Sequence, residues 1–360
     1  MRARWGELLL LGASGLVCLV GGELFVRAFI PVWYVGPDFS EYHPEYGKAL
    51  RRSVSVDRLT PEYTMHLTTN AEGLRGPERT ATATGAVWCL GDSFTMGFGV
   101  EDGEDFPALL RAEAARRRPQ APVEVLNAGV GAIGSGSWLR RLEAEIDTRR
   151  PRLVILQLTS NDYADNLSEG MFTLDEGGAL VDGPRPVPRG LLVRAYSLVA
   201  QLPGADQSWL IAAIKQAIST ARRELPRVVA AARVAASGAS PLRTSTSTST
   251  SGPVRPRHVE ALTEAIVARA VDACARRGIP VVGLGAELGS RDAAAMRALF
   301  TARGGAWVDG PPDVPGSPLH YTNDRHWNAA GHVEVARRLL ETPSVSAALG
   351  QVDTATTAAP

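Results

Sequence analysis

From residue 86 onward, short apolar runs alternate with amphipathic stretches. Ala86–Leu90 stops at Gly91, Val123–Leu126 at Asn127, and Leu153–Leu158 at Thr159; Ile279–Leu284 is a fourth such run. Short apolar segments ended by turn residues predict buried strands. Between them the spacing turns helical. Glu104–Arg118 carries Phe106, Leu109, Leu110 and Ala114 on one side, and Ser137–Arg149 carries Leu139, Leu142 and Ile146. His258–Arg277 and Asn328–Leu340 predict two more helices. Strands alternating with helices imply an α/β fold, a doubly wound parallel sheet flanked by helices on both faces.

The pattern breaks in three places. Residues 31–83 carry Pro37, Pro44, Pro61 and the turn-like stretch Asn70 to Gly76, with no clear period; they predict a lead-in segment packed on the main domain of 84–342. Residues 165–257 form an insertion with helical stretches at Leu191–Leu202 and Ser208–Ala236, closing in a Ser/Thr tract, Thr244 to Ser251. That tract has no apolar side chain to bury and is expected to be disordered. The tail 343–360 is small and polar and is expected to be flexible.

The first thirty residues are different again. Leu8 to Gly22 is uncharged and mostly apolar, preceded by Arg2 and Arg4, and apolar character resumes around Glu23 and Arg27. The uncharged run alone covers about 22 Å of helix, less than the roughly 30 Å hydrocarbon core; a helix over the whole stretch is long enough to span it, with Glu23 and Arg27 reaching the far interface. The basic flank favours a cytoplasmic N-terminus and an extracytoplasmic remainder. A cleaved signal peptide is the competing reading. The expected location is the inner or cytoplasmic membrane, single-pass, or secretion if the segment is cut.

Composition narrows the function. Lys+Arg and Asp+Glu are 38 each, for a net charge of zero. That balance argues against a nucleic-acid partner, which usually leaves a basic footprint. Cys18, Cys89 and Cys274 are far apart and match neither a disulfide framework nor a zinc pattern.

Four segments carry candidate chemistry. Gly91-Asp92-Ser93 follows the first strand, where open α/β sheets place their sites. Asn127 to Gly134 follows the second; its glycines expose backbone N–H groups suited to an oxyanion. Its G-x-G-x-x-G spacing also fits a dinucleotide loop, but no acidic residue ends a following strand at the right distance. Asn161 and Asp162 follow the third strand, with an amide able to donate to an oxyanion and an Asx turn as the plain alternative. Asp324-Arg325-His326 precedes the last helix and supplies a carboxylate and a base. His320, His326 and His332 recur every six residues, a spacing unlike any known zinc pattern, so no metal is expected.

In this order the four segments resemble the SGNH/GDSL hydrolase superfamily, over residues 84–342 apart from the insertion. The resemblance implies a flavodoxin-like sheet and an acyl-serine enzyme without cofactor. It assigns Ser93 as nucleophile, His326 as base and Asp324 as its orienting acid. The oxyanion hole falls to Ser93, Gly131 or Ala132, and Asn161, with Asp92 and Asp162 in support. The chain departs from the family pattern at Phe94 (usually Leu), Ser160 (often Gly), Ala132 (commonly Gly) and in the single residue between Asp324 and His326 (often two). The short anchor, the Asn70–Gly76 turn and the Asp-x-His-Trp-Asn ending resemble a bacterial membrane-anchored or exported branch. The implied substrate is an acylated carbohydrate or lipid of the cell envelope, with a small acyl group; protein partners are unknown. The alternatives are an O-acyltransferase acting on an exported polysaccharide, and a non-catalytic glycan-binding or assembly protein on the same fold. No G-x-S-x-G elbow is present to support an α/β-hydrolase.

Overall fold

The computed structural model describes residues 2–32, 35–36, 38–60, 62–79, 85–184, 204–218, 255–312 and 314–350. In chain order its strands begin with two ribbons: β1 (Ser40–His43) pairs antiparallel with β2 (Gly47–Leu50), and β3 (Ser55–Leu59) lies beside β4 (Thr64–Thr68). There follow β5 (Val87–Leu90), β6 (Val125–Asn127) and β7 (Leu153–Thr159). A hairpin, β8 (Phe172–Leu174) and β9 (Leu180–Asp182), precedes β10 (Val281–Ala286) and β11 (Ala306–Asp309).

Five strands make the central sheet in the order β11-β10-β7-β5-β6, and every pairing is parallel. This is the flavodoxin-like arrangement, and its strand order reverses between β5 and β7. The chain segments following these two strands therefore leave on either side of a crevice at the carboxyl edge.

Both faces of the sheet are covered, which is why β5, β7 and β10 read as unbroken apolar runs. Successive side chains point to opposite faces. Trp88, Leu90, Val154 and Leu156 join a core with Trp138, Leu142 and Ile266. Val87, Cys89, Leu153 and Ile155 join a second with Phe106, Leu110, Trp327 and Val335.

The expected helices are present as Phe106–Arg117, Ser135–Arg149, Arg257–Ala275 and Ala329–Leu340. The structure adds Asp162–Glu169, Ser290–Ala302 and the fifth strand β11. Two expectations are corrected. The tail does not begin loose at 343: Pro343–Leu349 is a helix whose Val345 and Leu349 are fully buried. The insertion does not open as helix beyond Glu169: β8 and β9 form a hairpin there, with Phe172 buried under the Arg140 and Arg269 guanidinium groups. Leu191–Leu202, residues 219–236, the Ser/Thr tract and residues 351–360 lie outside the described residues.

The chain divides into two compact units. One comprises 39–57, 62–188 and 249–360, with the sheet; the other comprises 1–38, 58–61 and 189–248. In the second, the helix Arg2–Phe29 includes Leu9–Phe29, a 21-residue stretch of mean hydropathy 2.0, long and apolar enough to cross a membrane. Its Glu23 carboxylate caps the helix Trp209–Ile218, accepting from Ser208 Oγ at 2.8 Å and from the Trp209 and Leu210 N–H groups at 3.0 Å.

Candidate active site

β5 delivers Ser93 to the carboxyl edge of the sheet. After Leu90 the chain turns at Gly91, where a Cβ would lie 2.2 Å from Thr95 Oγ1 and 2.4 Å from Gln157 Oε1. Only glycine fits that approach. Ser93 then opens a short helix, Ser93–Met96, capped by Asp92, which accepts from the Phe94 N–H at 2.9 Å. Gln157 on β7 accepts from the Asp92 N–H and from Thr95 Oγ1, both at 3.0 Å, and so ties the turn to the neighbouring strand.

His326 arrives from the other end of the chain. Its Nε2 lies 2.7 Å from Ser93 Oγ. Its Nδ1 is hydrogen-bonded to Asp324 Oδ1. The single residue between them, Arg325, has φ +71°. This left-handed residue folds the tripeptide so that carboxylate and imidazole meet despite their close spacing. Phe94 and Phe98 flank the ring at centroid distances of 4.8 and 5.0 Å, and fully buried Trp327 packs edge-on against Phe94. Burial opposes a charge on His326, but the Asp324 hydrogen bond and charge prevail and hold its pKa above the ordinary 6.5. Burial likewise opposes ionisation of Asp324, and its bond to His326 prevails in the other direction, lowering its pKa.

The other residues singled out in the sequence gather around this pair. A Cβ on Gly131 would stand 3.7 Å from Ser93 Cβ, so the glycine segment borders Ser93. Ala132, beside it, has φ +56°. Among the described residues the N–H groups of Ser93, Gly131 and Ala132 donate to no acceptor in the chain. Asn161 lies at the end of β7, exposed, with its Nδ2 donating to Asp165 Oδ2 at 2.8 Å. That bond uses one of the two amide hydrogens and leaves the other to donate elsewhere. Asp92 and Asp162 are buried and share Thr159: its hydroxyl donates to Asp92 Oδ2 at 2.8 Å and its N–H to Asp162 Oδ2 at 2.7 Å. Burial pushes the pKa of both carboxyls up, Asp162 well above the usual range. The remaining histidines stand apart from this chemistry. His332 is buried and accepts from the Phe106 N–H at 3.2 Å, and burial lowers its pKa to about 3. His320 Nδ1 meets Ser317 Oγ at 3.1 Å.

Several supports came from the aperiodic lead-in and carried no sequence signal. Tyr63 Oη donates to Asp324 Oδ2 at 3.1 Å, and Glu62 accepts from the Asp324 N–H at 2.8 Å. Lys48 Nζ donates to the Gly131 carbonyl at 2.7 Å. Arg75, within the turn noted at 70–76, is buried. It donates to Asp102 at 3.0 Å, to the Met96 carbonyl at 3.0 Å and to the Val100 carbonyl at 2.7 Å, fixing the loop that follows Ser93.

A hydroxyl, an imidazole and a carboxylate in hydrogen-bonded series at a sheet switch point are the parts of nucleophilic acyl transfer. The model of the GDSL-like lipase/acylhydrolase family matches residues 89–333, more than half of the chain. The chain belongs to this family. As a GDSL-family protein it is a serine hydrolase acting on ester bonds. Solved structures of similar fold include TesA, at 16% identity and TM-score 0.40, covering 73% of this chain and 99% of its own. A second is the psychrotrophic esterase EstA from Pseudoalteromonas sp., at 13% identity and TM-score 0.37, with coverages of 71% and 94%. A third is a variant of the acetyl-xylooligosaccharide esterase Axe2 from Geobacillus, at 14% identity and TM-score 0.37, with coverages of 74% and 95%. No curated protein matches the chain.

Proposed function

We propose that this GDSL-family hydrolase uses Ser93, His326 and Asp324 to cleave a small acyl ester from a carbohydrate or lipid of the cell envelope. The observation that carries this reading is the 2.7 Å approach of His326 Nε2 to Ser93 Oγ, with Nδ1 bound to Asp324. Ser93 Oγ attacks the ester carbonyl while His326 Nε2 takes its proton. Asp324 holds the imidazole tautomer and stabilises the imidazolium. The tetrahedral oxyanion is held by the Ser93 N–H, an N–H at Gly131 or Ala132, and the Asn161 amide. His326 then protonates the departing alcohol, leaving an acyl group on Ser93. Water, deprotonated by His326, attacks that acyl group and frees the acid.

The apolar stretch Leu9–Phe29, with Arg2 and Arg4 before it, supports a single-pass anchor with the hydrolase outside the cytoplasm. Envelope esters are the substrates within reach of such a domain.

The test is a fluorophosphonate label and p-nitrophenyl acetate hydrolysis, on wild type and Ser93→Ala. The wild type is expected to label and to release p-nitrophenol. Ser93→Ala is expected not to label and to lose about 10⁴–10⁶ in kcat. Asn161→Ala is expected to lose about 10²–10³. Equal labelling and turnover by Ser93→Ala would remove the assignment.

A further inference from the structure

Beyond β7, the carboxyl edge of the sheet continues into a cleft of about 610 Å³. Its lining includes Ser160, Glu287, Ser290, Arg297, Asp309 and Gly310. The size suits a small ligand. Its position is fixed by the sheet: Ala286 pairs with Thr159, and Gly285 with Asp309, so the cleft runs from the residue before Asn161 across the ends of β10 and β11. One wall reaches the site: a Cβ on Gly310 would lie 2.7 Å from the ring of Trp327, the residue after His326.

Glu287 is the unusual member. It has φ +50°, a conformation side chains other than glycine rarely adopt. Its Oε1 is closed off from solvent and has no hydrogen-bond partner among the described residues. Its charge acts on His326. Strained backbone and an unsatisfied buried carboxylate oxygen both persist where a ligand gives them a purpose. Nearby, the helix Ser290–Ala302 begins at Gly289, which provides no side chain to cap its N–H groups. The cleft thus presents an acceptor in Glu287, hydroxyls in Ser160 and Ser290, and an ion pair between Arg297 and Asp309.

We infer that this cleft binds the sugar portion of an O-acylated carbohydrate, with the Glu287 carboxylate accepting a hydrogen bond from a ring hydroxyl. This deepens the hydrolase reading above and rests on it. It chooses carbohydrate over lipid, because an alkyl chain laid along the cleft would strip water from the Glu287 carboxylate without giving it a hydrogen-bond donor. A sugar offers the missing donor and presents its ester toward Ser93. Glu287 is then a specificity-determining residue of this site.

The experiment compares full-length protein in detergent, as wild type, Glu287→Gly and Glu287→Gln. Glycine suits the positive φ, so Glu287→Gly removes the carboxylate without straining the backbone. Substrates are O-acetylated cellotriose, p-nitrophenyl acetate and p-nitrophenyl octanoate. The expected result is that Glu287→Gly lowers the ratio of kcat/KM for the sugar acetate over the aryl acetate by about 10- to 100-fold, mainly through KM. Glu287→Gln, which keeps an acceptor oxygen, is expected to fall less. An unchanged ratio overturns the inference, because Glu287 then acts only through His326. A rise in the octanoate-to-acetate ratio in Glu287→Gly also overturns it, since the cleft then takes an acyl chain. A wild type that neither labels with fluorophosphonate nor cleaves any ester loses the hydrolase reading itself. The first two outcomes leave that reading standing.

Discussion

Arg325 shows how one dihedral governs the site. Its left-handed conformation costs an L-residue roughly 1 kcal/mol, and glycine avoids that cost. Arg325→Gly is therefore expected to keep kcat/KM for p-nitrophenyl acetate within about threefold and to hold or raise the melting temperature. Arg325→Val, β-branched at a positive φ, is expected to separate Asp324 from His326 and lower kcat by about 10²-fold. The same pair sets the pH response. In the proposed mechanism His326 must be neutral to accept the Ser93 proton, and its pKa lies above 6.5. The rate is thus expected to rise with pH along a limb centred above 6.5. Asp324→Asn removes the bond and charge that raise the pKa and leaves burial, which lowers it. Its limb is expected to move to lower pH, with kcat down about 10⁴-fold. A pH–rate profile of both proteins checks the two shifts together.

At the scale of elements, the helix Asp162–Glu169 supports the glycine segment. Glu169 accepts from the Gly134 N–H at 2.9 Å, and burial raises its pKa to about 7. The unfolded chain gives up this proton near the ordinary 4.5, the folded chain near 7. Between those values the folded state binds more protons, so this group's stabilising contribution falls as pH rises through the window. Glu169→Gln is expected to remove up to about 3 kcal/mol of that pH dependence, read from urea melts between pH 4.5 and 7.5. The elements legible in the sequence were those buried on both faces: β5, β7 and β10 announce themselves as apolar runs. β11 did not, because Ala306, Trp307 and Asp309 are only half-buried at the edge of the sheet. Pro343–Leu349 escaped because two buried side chains, Val345 and Leu349, are too few to mark a period. The motifs exposed Ser93, Asp324 and His326. Tyr63, Glu62 and Lys48 were invisible because their roles come from tertiary approach and not from local pattern.

Over the whole molecule, the two units differ in what covers their apolar surface. The sheet unit buries its own on both faces, whereas Leu9–Phe29 leaves Leu10, Leu16, Leu24 and Phe29 exposed. Without a membrane such a stripe invites aggregation. The full chain is expected in the membrane fraction after alkaline carbonate extraction, with an N-terminal mass that includes residues 1–30. A mature protein starting near residue 23 would mean cleavage and a secreted enzyme.

Ser93 and His326 are 233 residues apart. A ribosome makes the proposed nucleophile long before the proposed base, and domains generally consolidate from the N-terminus as they are made. The imidazole reaches Ser93 only when the segment before the closing helix Ala329–Leu340 docks on the face containing Phe106 and Leu110. On the proposed mechanism Ser93 is until then an ordinary alcohol, without a base to take its proton. The order of the chain would then act as a timer: the protein would become reactive last, once nearly all of it has been made.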